Sequence, residues 1–259
     1  MRGTLAIQIG SVARRQILRT LRQPAAVFFP VAFPLALMAV NAAGLTPATS
    51  LPGFPADSFY SFALAVPFIQ GALFATMNAG TDLARDIQDG FFNRLALTPL
   101  RGSALLLGLL AGVVALGLVQ SVIYLGVGLA IGVEFHAGVL GVVVLLALSA
   151  LILLGFGAIG ATMALRTGSG EAVQGLFPAF FVFLFISSMN MPRSLIEIDW
   201  FRIAATANPI SYLIEGVRSL IITGWDGQAL ALGFGIAAAL TAVALAAAAA
   251  SLRTRMERT

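Results

Sequence analysis

The sequence predicts an all-α integral membrane protein with six transmembrane helices, and three observations carry that prediction. Of 259 residues, 59% are apolar and 10% are charged, whereas a soluble domain carries about a quarter charged residues. The apolar residues arrive in blocks of about 20, long enough to cross a hydrocarbon core, rather than at the three-to-four spacing of a surface helix. The blocks lack the dyad alternation of a membrane barrel, and backbone in lipid must satisfy its own hydrogen bonds, so helices remain.

Residues 1–24 read as an interfacial amphipathic helix. Gln8, Ser11, Arg15, Arg19 and Arg22 fall on one arc of a helical wheel and Ala6, Ile7, Ala13, Ile17, Leu18 and Leu21 on the other, with Arg14 the exception. Pro24 then turns the chain into the membrane. Arg14 and Arg15 before an apolar stretch resemble a twin-arginine export signal, but five further spans argue against cleavage there. The spans are expected at about 25–44, interrupted by Pro30 and Pro34, then 59–79, 103–132, 139–165, 173–191 and 229–250. The third and fourth form a hairpin closed by the turn at 133–138. The whole chain reads as one transmembrane domain without internal repeats.

Six spans put both termini on one face, and arginine decides which. All fifteen cationic side chains are Arg. Twelve lie on the terminal face: Arg2, Arg14, Arg15, Arg19, Arg22, Arg85, Arg94, Arg101, Arg166, Arg253, Arg255 and Arg258. Only Arg193, Arg202 and Arg218 lie on the other. The positive-inside rule places both termini in the cytoplasm. Cysteine is absent, which removes disulfides, zinc-thiolate sites and thiol nucleophiles together.

Two segments between spans hold the remaining information. In the cytoplasmic loop 80–102, Leu83, Ile87, Phe91 and Leu95 recur every four residues with Asp82, Asp86, Asp89 and Asn93 between them. That pattern is a helix with one apolar stripe, fit either to rest on the bilayer or to fill a groove in a partner. The outer segment 192–227 is too apolar for a solvated loop and too interrupted for a span. Its second half, with Pro209 near its start and Gly224 at its end, reads as a short re-entrant helix. Glu215 and Arg218 stand three apart on it and are expected to pair with each other, since an unpaired charge at membrane depth costs several kcal/mol.

These residues carry a family resemblance. Pro209-Ile-Ser-Tyr212, five residues and Arg218 resemble the signature of the type 2 permeases of ATP-binding-cassette exporters, especially the drug-resistance and daunorubicin-type branch. Arg85-Asp86, Asp89-Gly90, Arg94-Leu95 and Thr98-Pro99-Leu100 resemble that branch's loop before the third span, although Gln88, Asp89 and Asn93 stand where the branch often has Glu. The resemblance implies a permease subunit in a prokaryotic cytoplasmic membrane, paired with a second permease chain over two copies of a cytosolic ATPase that carries ATP and Mg. It implies that the loop helix, through Asp86, Asp89, Gly90, Phe91, Phe92, Arg94, Thr98 and Pro99, is the coupling helix contacting that ATPase. Spans two and five would line the path of a hydrophobic or amphipathic substrate, with Gln70, Phe74, Met77, Asn78, Phe177, Phe181, Phe185 and Asn190 as candidates; core packing accounts for the same residues.

Other chemistry is excluded by what is missing. The chain has no Lys, so it cannot carry a phosphate-binding Gly-x-x-x-x-Gly-Lys-[Ser/Thr] loop, and it is expected not to be an enzyme. His136 is the sole histidine; beside Glu134 in an outer turn it makes neither a metal site nor a hydrolase triad. An ion-coupled secondary transporter would need ionisable groups inside the spans, and the acidic residues fall in or near loops. A non-transporting membrane assembly subunit fits the span pattern equally.

Overall fold

The computed structural model describes residues 5–90 and 102–257, and within them every regular element is helical. In chain order these are α1 (Leu5–Leu21), α2 (Pro24–Leu45), α3 (Phe59–Ala63), α4 (Ala65–Gln88), α5 (Gly102–Ala130), α6 (Gly138–Thr167), α7 (Gly170–Gln174), α8 (Leu176–Phe185), α9 (Asp199–Ala207), α10 (Pro209–Ile222) and α11 (Gly227–Glu257), with 3₁₀ turns at Thr46–Ser50 and Arg193–Leu195. Five helical stretches are long and apolar enough to cross a membrane: Pro24–Ser50, Phe59–Gln88, Gly102–Ala130, Gly138–Thr167 and Gly227–Glu257. The protein is therefore a multi-pass membrane protein.

Proline explains most of the irregularity, because its ring displaces the carbonyl four residues earlier and leaves it without a donor. Pro67 opposes the Ala63 carbonyl, and the helix breaks at Leu64 between α3 and α4. Pro178 opposes Gln174, and the expected continuous span 173–191 is instead the short pair α7 and α8, which ends at Phe185. Within α2, Pro30 and Pro34 free the carbonyls of Ala26 and Pro30. Both find side chains from neighbouring helices: Asn78 Nδ2 donates to Ala26 O at 3.4 Å and the Tyr124 hydroxyl donates to Pro30 O. Two prolines inside a membrane helix are thus tolerated because α4 and α5 supply the missing donors.

Glycine sets the close crossings. A Cβ on Gly160 of α6 would lie 2.3 Å from the Thr76 carbonyl oxygen, and one on Gly80 of α4 would lie 2.8 Å from the Gly160 carbonyl oxygen, so α4 and α6 meet backbone to backbone. On α5, Gly108 and Gly112 make room for Val12 and Gln16 of α1.

The second span runs further than expected. It does not end near residue 79; α4 continues unbroken to Gln88, and Leu83 and Ile87 form its last turns rather than a separate loop helix. The helix stops at Gly90, whose φ of +67° is the left-handed conformation that a helix-terminating glycine supplies. Phe91, Phe92, Arg94, Leu95, Thr98 and Pro99 lie outside the described residues.

Candidate functional site

The C-terminal end of α4 is held by α1. Arg15 Nη2 and Arg19 Nη1 reach Asp86 Oδ1 at 2.8 Å and 2.9 Å, Arg19 Nε lies 3.4 Å from Asp82 Oδ1, and Gln16 Nε2 donates to Asp82 Oδ2 at 2.7 Å. Asp82 is 8% exposed and Gln16 6%, so two cations and an amide neutralise carboxylates that would otherwise be costly to desolvate. Asp86, expected to face an ATPase, has its carboxylate taken up inside the chain. The outer arc of α1 remains apolar and exposed at Ile7, Leu18 and Leu21, the distribution of a helix lying against lipid.

Beside this junction opens a cavity of about 490 Å³ between the α1–α2 corner, α4 and the α7–α8 pair. Thr20, Gln23, Thr81, Asp82, Arg85 and Gln174 give it polar walls, while Phe74, Met77 and Phe177 give it apolar ones. Rings then continue along the molecule. Phe74 and Phe177 lie 5.5 Å apart between centroids, Phe177 and Phe181 4.5 Å, and Phe181 and Phe185 6.1 Å, with Phe33 of α2 contacting both Phe74 and Phe181. Spacings of this kind are those of favourable offset or edge-on ring pairs.

The expected path residues fall into two groups. Phe74, Met77, Asn78 and Phe177 line the cavity, and Phe181 and Phe185 extend the ladder. Gln70 and Asn190 do not join them: Gln70 is 1% exposed with neither amide atom hydrogen-bonded, and Asn190 Oδ1 accepts from Asn41 Nδ2 at 3.4 Å. Sequence reasoning missed Phe33 as a ladder member and Asp82 as an anchor. One signal for the anchor was present, since Arg15/Arg19 and Asp82/Asp86 share a spacing of four and can face each other as matched pairs on two helices.

The signature residues of α10 form a cap. Asn208 accepts from Ile210 N to start α10, and its amide nitrogen donates to the Phe183 and Ile186 carbonyls at the end of α8. Pro209 occupies the first position of α10, where its missing N–H costs nothing. The Tyr212 hydroxyl donates to Thr206 O at 2.8 Å. The expected pairing of Glu215 with Arg218 is not what forms. Glu215 accepts a two-pronged contact from Arg193, at 2.8 Å and 2.6 Å, and Arg193 also lies over the Tyr212 ring. Arg218 is 6% exposed and donates to the carbonyls of Phe62, Ser188 and Met189 at 3.0, 2.9 and 3.1 Å, with its guanidinium 3.5 Å from the Phe62 ring centre. The reason is geometric: Arg193 approaches Glu215 from outside, while Arg218 points inward to carbonyls that the breaks after α3 and α8 leave open.

His136 sits where the turn between α5 and α6 rests on the end of α10, its backbone N–H donating to Ile221 O at 3.1 Å. No group of metal-binding side chains occurs among the described residues.

Residues 7–222 match the ABC-2 type transporter family model. Over 173 residues the chain is 30% identical to the daunorubicin resistance ABC transporter permease protein DrrB1 of Streptomyces coeruleorubidus, a stretch covering 64% of this chain. The chain spans about 58% of the length of that curated relative. With well over half its residues matched by the family model, and with its long apolar helices, this chain belongs to the ABC-2 type transporter family.

Proposed function

We propose that the chain is the membrane-spanning permease subunit of an ATP-binding-cassette exporter, moving a hydrophobic or amphipathic substrate such as a drug, lipid or lipid-linked product out of the cytoplasm. The observation that carries this reading is the mixed cavity at the α1–α4 junction, which leads into the ladder from Phe74 to Phe185. Polar walls at the mouth admit the wetter end of an amphiphile, and aromatic rings accept its apolar body. The name of the relative, a daunorubicin resistance permease, supports a drug as cargo.

The energy comes from a separate ATPase, bound in two copies and carrying ATP and Mg, beneath two permease chains that are identical or paralogous. The end of α4, α1 and the loop beyond Gly90 form the contact with it. Together α7 and α8 complete a sixth crossing, with the non-helical stretch at 186–192 reaching the outer face. Both termini then lie in the cytoplasm of a prokaryotic cell, supported by the twelve-to-three arginine distribution.

Purified alone, the chain is expected neither to bind nor to hydrolyse ATP, whereas its complex with the ATPase does both. Hydrolysis by the isolated chain would sink the proposal. The orientation has its own check, because single cysteines can be added to a cysteine-free chain. A membrane-impermeant thiol reagent should label positions 50 and 136 from outside and positions 88 and 254 only after the membrane is opened; the reverse pattern overturns the topology.

A further inference from the structure

A second depression shares no lining residue with the cavity beside the aromatic ladder. It is a groove of about 570 Å³ between α6 and α11, floored by alanines such as Ala239, Ala244 and Ala247, walled by Ile159 and Met163, bordered by Leu176 at the start of α8 and Pro209 at the start of α10, and closed at one end by Arg166. Its floor is low because α11 presents a run of alanines where larger side chains would fill the space. Val243 beside it is 72% exposed, so this face meets lipid or a partner.

Length and charge together identify the occupant. From Ile236 to Ala247 the groove follows α11 for twelve residues, about 16 Å at the α-helical rise and close to half of a hydrocarbon core about 30 Å thick. That is the depth of one leaflet. Arg166, in the last turn of α6, stands at its end, and its Nε donates to Ser251 Oγ at 3.2 Å, which fixes the guanidinium while leaving its terminal nitrogens for another acceptor. No carboxylate lies within ion-pair distance of Arg166 among the described residues. Arg255, whose Nη1 donates to Leu165 O at 3.0 Å, stands beside the same helix end.

We propose that this groove is a binding site for an anionic phospholipid of the cytoplasmic leaflet, with one acyl chain along the alanine floor of α11 and the phosphate on Arg166. A guanidinium fork suits a phosphate oxygen pair, and the groove end places it at headgroup depth. The site rests on the cytoplasmic orientation given above for the end of α6. It is separate from the substrate cavity, since the two share no lining residue.

Native mass spectrometry of the full chain, released from detergent after exposure to phosphatidylglycerol or phosphatidylcholine, reads the site directly. The wild type should retain phosphatidylglycerol preferentially. Arg166→Gln should lower that preference about fivefold, the order of one surface cation's attraction to an anionic headgroup, while still retaining lipid. Ala239→Phe, at an exposed floor position, should fill the groove and reduce retention of both lipids with the fold intact by thermal melting. Equal retention of the two lipids by the wild type, or an unchanged preference in Arg166→Gln, overturns the proposal. Loss of dimer mass in Ala239→Phe with lipid retention unchanged would instead make the groove a helix–helix seam, and overturns it too. The labelling experiment and ATPase co-purification report on the transport reading independently, so its failure is separately visible.

Discussion

Arg218→Ala should lower the thermal unfolding midpoint of the detergent-solubilised chain by roughly 10 °C. The substitution removes one side chain but orphans three buried carbonyls, those of Phe62, Ser188 and Met189. At about 1 kcal/mol for each unsatisfied group the loss is about 3 kcal/mol, and a chain of this size shifts its midpoint by roughly 2–4 °C per kcal/mol. Arg218→Lys should recover only part of the loss, because an ammonium lacks the planar fork that reaches three acceptors. Glu215→Gln should cost far less, since its partner Arg193 is partly exposed and such pairs contribute about 1 kcal/mol or less. Tryptophan fluorescence from Trp200 and Trp225, which flank α10, follows the transition. If Glu215→Gln proves as damaging as Arg218→Ala, the two residues act as a pair and the carbonyl clamp is not what holds the cap.

Replacing Phe91 and Phe92 together by Ala should release the ATPase or uncouple its hydrolysis from transport while membrane insertion stays normal. In the sequence Phe91 keeps the four-residue spacing of Leu83 and Ile87, with Phe92 next to it, and a buried aromatic anchor commonly contributes 2 kcal/mol or more, roughly thirtyfold in affinity. Asp86→Asn acts differently: its carboxylate is bound by Arg15 and Arg19, so this change loosens α1 from α4 before it affects any partner. Co-purification of the ATPase with each variant separates the two effects. Full retention and normal transport in the double Phe variant would move the contact to α1.

What could be read from the sequence follows the range of the forces involved. Apolar block length and arginine placement are local quantities, and they found the long helices and the amphipathic α1. Proline breaks are local as well, yet the span at 173–191 read as continuous because its hydropathy outweighed the single Pro178. Pairing across the fold was less legible. A spacing of three made Glu215 and Arg218 neighbours on one helix, but their acceptors and donors come from Arg193, Phe62 and Ser188, distant in sequence. The ring contacts were legible in part: the family resemblance grouped Phe74, Phe177, Phe181 and Phe185 on spans two and five, whereas nothing in the sequence set Phe33, 40% exposed on α2, against Phe74 and Phe181.

The uninterrupted course of α4 has a mechanical consequence. Its close contact with α6, where Gly160 meets Thr76 and Gly80, can serve as a fulcrum between unequal arms. The arm from this contact to Gln88, eight residues past Gly80, is longer than the arm to Phe74, two residues before Thr76. A sideways push on the Gln88 end therefore swings Phe74 in the opposite direction by a smaller distance. Because Arg15 and Arg19 grip the long arm at Asp82 and Asp86, α1 travels with it, and force applied to either helix reaches the ladder through the same pivot.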